Sequence, residues 1–267
     1  MRFQYFVDSL SIVVFFVAFT VVALITSEFG YRFGRWWQMR TPEEKEGPTS
    51  MIVGSLLALM AFLLAITMGM ASDRFDTRRN LVLTEANCVG TTYLRAGCLP
   101  EPASGKIREL IREYAPLRIV TSDLADYQRK VARSVEIQNK IWSIAEELAR
   151  ATPDSEVLTL FITSLNEMID LHQTRITVGM YARVPETILI LLLICSMLTL
   201  AMVGYNAGLT LRRSPLTAAI LIIVMGAVIT LVVDLDRPHK GFLKVSQQPL
   251  IDLVQQIGQL PSESPSK

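Results

Sequence analysis

The chain has little of what enzymatic chemistry usually needs. Two histidines and three cysteines stand in 267 residues. No G-x-S-x-G elbow, P-loop, H-E-x-x-H or dinucleotide fingerprint occurs. Cys88 and Cys98 lack both C-x-x-C spacing and a nearby histidine, so no zinc site is indicated. Cys195 falls inside an apolar run, and all three cysteines read as unpaired small side chains. His172, in Asp170-Leu-His-Gln-Thr-Arg175, reads as a hydrogen-bonded packing residue on a helix, and His239 follows an apolar segment. The expectation is no catalytic residue, no metal, no cofactor and no enzyme. The formal net charge is +1, which gives a polyanion nothing to bind, so nucleic acid is not expected as a partner. Strand-like alternation and internal repeats are also missing.

Charge is missing from four long stretches: Ser9–Ser27, Met51–Ala71, Thr187–Tyr205 and Pro215–Val233. Each is long enough to cross a hydrocarbon core of about 30 Å as a helix. The first is too long for a signal-peptide core, follows Asp8 and lacks an A-x-A site, so it reads as a retained span. Hydrophobic residues make up 51% of the chain and charged residues only 19%. The fold class expected is all-α: a polytopic membrane protein with four spans and a helical extramembrane insert between the second and third. The lipid bilayer is thereby its first partner.

The expected layout is spans 1 and 2 in residues 1–71, the insert in 72–186, spans 3 and 4 in 187–235, and a tail in 236–267. Aromatics beside arginines in Tyr31–Trp37 read as interfacial anchors. The polar run Thr41–Ser50, with Pro42, Gly47 and Pro48, reads as an exposed turn. Within the insert, apolar spacing predicts helices over 104–121 and 123–151, with Thr152-Pro153 as the cap and first turn of the next. Basic and acidic residues balance at 15 each from Asp73 to Arg183, which suits helices packed on one another. In the tail, Leu250, Leu253, Val254 and Ile257 share one face of a short amphipathic helix. Residues 261–267 read as disordered. The basic residues flanking the spans number six on one side and nine on the other, which leaves orientation open for so long an insert.

Two features stand out. Gly54, Ala58, Ala61, Ala65 and Gly69 form one stripe of small residues along span 2. Such a stripe either lets a neighbouring backbone approach closely or faces a shared axis and leaves room for a pore. Beyond it, Ser72–Arg95 reads as a continuation of the same helix. Arg74, Arg78, Leu81, Glu85, Cys88 and Thr92 fall on one face; Asn80, Asn87 and Gly90 on a second; Phe75, Arg79, Val82, Ala86, Val89 and Tyr93 on a third. Arg78 and Glu85 are two turns apart, too far to pair with each other. Ionisable residues near the membrane, including Asp234, Asp236 and Arg237, sit at span ends and none at a span centre, which argues against a coupled transporter. Asp234 and Asp236 are too few for a calcium site, and pairing with Arg237 is the expected use.

Several elements resemble the bestrophin-like family of bacterial membrane proteins, a domain of uncharacterised function. They are Arg74-Phe-Asp76-x-Arg78-Arg79, Glu85-Ala-Asn87-x-x-Gly90-Thr91-x-Tyr93-Leu-Arg95, Leu99-Pro, Leu171-His172-x-x-Arg175, Arg183-Val-Pro, Asp234-Leu-Asp236-Arg237-Pro-x-x-Gly and Val245-Ser-Gln. True bestrophins are pentameric anion channels with four spans per subunit, whose second membrane helix lines the pore. Calcium gates the animal members through an acidic cluster after the last span. The resemblance implies a homo-oligomer of a bacterial inner membrane, a cytoplasmic insert, anions as the permeating species, and Arg74, Arg78 and Arg79 at a vestibule. The stripe lacks the aromatic neck of the animal channels, and only Asp234 and Asp236 stand where their acidic cluster would be. The alternative is a non-conducting, membrane-anchored helical interaction module. That reading requires the stripe to be covered by the chain's own third or fourth span.

Overall fold

The computed structural model describes residues 7–41, 46–120, 124–210, 214–237 and 241–259. Among them are eight helices and no strand. We number them α1 (Ile12–Arg40), α2 (Glu46–Ala96), α3 (Ala103–Leu117), α4 (Leu124–Ala151), α5 (Glu156–Tyr181), α6 (Glu186–Leu209), α7 (Pro215–Asp236) and α8 (Gln248–Gln259). Four are long and apolar enough to cross a membrane: α1, α2, α6 and α7. The chain is thus an all-α polytopic membrane protein with a helical insert between its second and third spans.

Local chemistry sets the helix ends. Ser11 caps α1 by accepting from Val14 N at 3.2 Å. Pro215 opens α7 at a position whose N–H has no partner inside the helix. Two sequence expectations are corrected. Thr152 does not cap α5; its N–H and hydroxyl both return to Leu148 O, at 2.8 and 3.0 Å, and so close α4. Ser155 caps α5 instead, accepting from Leu158 N at 3.2 Å. The expected turn Thr41–Ser50 also shrinks, because α2 begins at Glu46. Pro48 is tolerated there because first-turn N–H groups have no intrahelical partner. Residues 42–45 lie outside the described residues, as do His239 and the tail 260–267.

The chain forms two compact units, and the division falls inside α2 between Phe75 and Asp76. The first unit comprises residues 1–75 and 183–244. Its core gathers Phe15, Phe19, Met60, Leu192, Leu200, Ile222 and Ile229. The second unit comprises residues 76–182 and 245–267. Its core gathers Val89, Tyr93, Ile107, Ile111, Ile137, Phe161, Leu165 and Met168, closed by Leu250, Leu253 and Ile257 of α8. Arg112 Nε donates to Ile257 O at 3.2 Å near the end of α8.

Candidate functional site

The small-residue stripe of α2 is bare. Gly54, Ala58, Ala61, Ala65 and Gly69 are all exposed, and a Cβ placed on Gly54 or Gly69 would meet nothing within 4 Å. The other side of the same span carries the packing, with Met60, Thr67 and Ala71 buried. None of the chain's own spans covers Gly54 or Gly69.

A second set of small residues, not singled out in the sequence, behaves in the opposite way. Gly30 and Gly34 of α1 lie against α6 at Ala201 and Tyr205. Gly204 and Gly208 of α6 lie against α1 at Ser27 and Tyr31. A Cβ at any of the four would run into the facing backbone. Each pair is a G-x-x-x-G, Gly30-Tyr-Arg-Phe-Gly34 and Gly204-Tyr-Asn-Ala-Gly208. In lipid this motif lets two backbones touch and gain dispersion energy that bulkier residues would forbid. That spacing was the available signal.

At the end of the first unit, the Asp234-Leu-Asp236-Arg237 motif meets Arg183 and Asp8. Arg183 makes a two-pronged bond to Asp8, at 2.8 and 2.9 Å, and pairs with Asp236 at 3.4 Å. Asp236 also accepts from Val184 N at 2.7 Å. Arg237 donates to Val7 O at 2.6 Å and lies 3.8 Å from Asp8. Asp234 accepts from Phe242 N and Leu243 N at 3.1 and 3.0 Å. Gly241, at a φ of 155°, presses on that carboxylate where no Cβ would fit. Each of these carboxylates is thus already neutralised or hydrogen-bonded. No group of three or more potential metal-ligating side chains occurs among the described residues.

In the second unit the remaining motif residues divide between a buried and an exposed side of α2. Glu85 is fully buried. It accepts from Arg118 Nε at 2.6 Å and from Arg175. Arg175 also donates to Arg118 O at 3.0 Å and to Gln247 Oε1 at 2.7 Å. Buried charge persists only where pairing and hydrogen bonds offset lost hydration, and two guanidiniums do so here. Gln247 is the last residue of the Val245-Ser-Gln element; Arg118 was missed in the sequence, because no spacing rule links charges on separate helices.

Arg78 is buried and donates to Ala182 O at 3.4 Å. This corrects its expected place at an open vestibule, since its side chain turns inward. Arg74 is half-buried, whereas Asp76, Arg79, Asn87 and Thr91 are exposed. Gly90 lies under Leu253 of α8, where a Cβ would come within 3.2 Å. Tyr93 is buried beneath the guanidiniums of Arg108 and Arg112, at 5.2 and 5.4 Å. Arg95 donates to Leu160 O at 2.9 Å. Thr92 donates to Ser164 O at 3.0 Å. Neighbouring Cys88 has its thiol pushed up to about 11, chiefly by burial, so it is no ready nucleophile.

His172 is buried beside Tyr114, whose hydroxyl lies 3.4 Å from Nδ1. Gln138 donates to that hydroxyl at 3.2 Å. Burial, aided by the charges of Arg118 and Arg175, pulls the His172 pKa down to about 3. The imidazole is therefore neutral at ordinary pH and acts as a packing group.

A family model described as the Bestrophin-like domain matches residues 11–250. Solved structures share the fold at low sequence identity. A bacterial bestrophin homologue from Klebsiella pneumoniae superposes with a TM-score of 0.65 at 15% identity, over 94% of this chain and 100% of that one. A single-residue variant of a bacterial bestrophin homologue from Klebsiella pneumoniae gives 0.69 at 16% identity, over 93% and 96%. A crystal structure described only as that of a membrane protein gives 0.69 at 14% identity, over 91% and 99%. A search among curated proteins found no match.

Proposed function

The chain belongs to the Bestrophin-like family, and on that premise we propose that it forms an oligomeric, channel-like conduit for anions in a bacterial inner membrane. The exposed face of the α2 span lines the shared axis, and the helical insert lies on the cytoplasmic side. The observation that carries this reading is the bare stripe. A surface with open space beyond Gly54 and Gly69 is what a helix at an axis presents, since small side chains leave the lumen wide. The same observation weighs against a non-conducting interaction module, which needs that stripe covered from within.

The chemistry is conduction, without bond making. Arg74 and Arg79 remain available to bias ions by charge, as basic rings do in anion pores; Arg78 is spent on its own chain. Asp8, Arg183, Asp236 and Arg237 join the protein's early residues to the ends of its third and fourth spans.

Chloride flux into liposomes carrying the purified chain tests the proposal. Flux above that of empty vesicles, lost on introducing Ala61→Phe, is expected. Flux equal to empty vesicles across pH and calcium series overturns it.

A further inference from the structure

One face of α1 changes character along its length. Val14, Val17, Val21, Ile25 and Phe29 are exposed, from 48% to 70%, and fall on a single helical stripe. The stripe then continues as Arg32, Trp36 and Arg40, all exposed. It lies on the side of α1 away from Gly30 and Gly34, which are locked against α6. The rings at this end form a connected platform. Phe33 lies 5.8 Å from Trp36, 6.3 Å from Trp37 and 5.8 Å from Tyr205 of α6. The Arg40 guanidinium sits 4.1 Å over the Trp36 ring. Arg32 pairs with Glu28 at 3.0 Å, yet its side chain is 78% exposed. Arg35 is exposed beside them. Glu28 is the sole acid in residues 28–41.

We propose that Arg32, Arg35, Arg40 and Trp36 form a phospholipid headgroup site selective for anionic headgroups. The occupant follows from the gradient on the page. An aliphatic stripe faces acyl chains, and the arginines and indole appear where that stripe stops, at the level of headgroup phosphates. A guanidinium offers a planar fork of donors to phosphate oxygens. Stacking on Trp36 holds one such fork in place and screens part of it from water. A zwitterionic lipid brings its own cation to the phosphate and so gains less from three guanidiniums against one carboxylate. Basic residues near a surface each favour anionic lipid by roughly fivefold. The tight α1–α6 seam makes the platform rigid, so little ordering is required when a lipid binds.

The test uses tryptophan quenching by brominated lipids. Trp36, Trp37 and Trp142 are the three tryptophans. Trp142→Phe therefore leaves both reporters at this site. The full chain is placed in nanodiscs of phosphatidylcholine containing either brominated phosphatidylglycerol or brominated phosphatidylcholine at equal mole fraction. Preferential quenching by the glycerol lipid, by about fivefold or more in relative association, is expected. Arg35→Gln with Arg40→Gln brings the two lipids to parity, while Arg150→Gln, on α4, leaves the preference intact. Arg40→Lys keeps the charge without the planar fork and retains part of it. Parity in the unaltered site, or a preference that survives the double substitution, overturns the proposal. Quenching by neither lipid overturns it too, because the face is then covered by protein.

Discussion

The membrane unit carries two small-residue surfaces with opposite fates. Gly30 and Gly34 meet Gly204 and Gly208 in a seam so close that a single Cβ cannot be added. Gly54 and Gly69, in a stripe likewise built of small residues, meet nothing within 4 Å. Composition alone therefore does not say whether a small-residue surface is used within the chain. Use depends on whether a complementary helix presents small residues at the matching height. α6 does so for α1. Neither α6 nor α7 covers Gly54 or Gly69, which leaves the α2 stripe for something outside the subunit. The second unit adds a polar kind of closure, where the fully buried Glu85 is held by Arg118 and Arg175.

The largest way to break this contrast is to open the polar closure. Glu85→Ala strands two guanidiniums in the interior and costs about 3–5 kcal/mol. It should appear as a drop of many degrees in the thermal midpoint or as loss of folded protein. Next comes the seam. Gly204→Leu forces a side chain into the α1 backbone and is expected to cost about 3 kcal/mol, read by the same melt. The third acts through pH. His172 has its pKa lowered to about 3 by burial, whereas an unfolded histidine titrates near 6.5. Below that value the unfolded state binds the extra proton, so stability is complete above about pH 6.5 and lost as pH falls toward 3. Between pH 7 and pH 5 this amounts to about 2 kcal/mol, and His172→Gln flattens that slope. The smallest stability effect belongs to the open stripe. Gly54→Leu should move the melt by less than about 0.5 kcal/mol while lowering anion flux. A melt shift as large as that of Gly204→Leu would make the two surfaces alike. A labelling experiment sharpens the same point: with Cys98→Ser as background, Ala61→Cys reacts with a polar thiol reagent and Ala23→Cys, fully buried, does not.

Much of this was legible in the sequence, because lipid imposes simple rules. Four charge-free runs had to be helices, and the motif stretch after span 2 continued in phase to Ala96. Pairing was harder to read. The two G-x-x-x-G motifs announce close packing but do not name each other. Glu85 finds Arg118 33 residues on and Arg175 90 residues on, and neither distance follows from helical periodicity. The start of α5 was misplaced because Thr152 and Ser155 are both good caps, and only the tertiary path decides which hydroxyl faces forward. The resemblance places Arg78 at a vestibule, whereas its helix face also carries Glu85, Cys88 and Thr92, and all four are buried.

The ionic knot at Asp8 has a consequence for biogenesis. Asp8 is synthesised before its partners, and Arg183 follows 175 residues later. Arg237, which reaches back to Val7, lies 230 residues downstream of it. Throughout that interval Asp8 lacks the two guanidiniums that stand beside it in the folded protein. The contacts that tie the residues before α1 to the rest of the unit are therefore completed only when the end of α7 has been made. A chain truncated before Arg183 keeps the apolar run of α1 but lacks the guanidiniums of the latch.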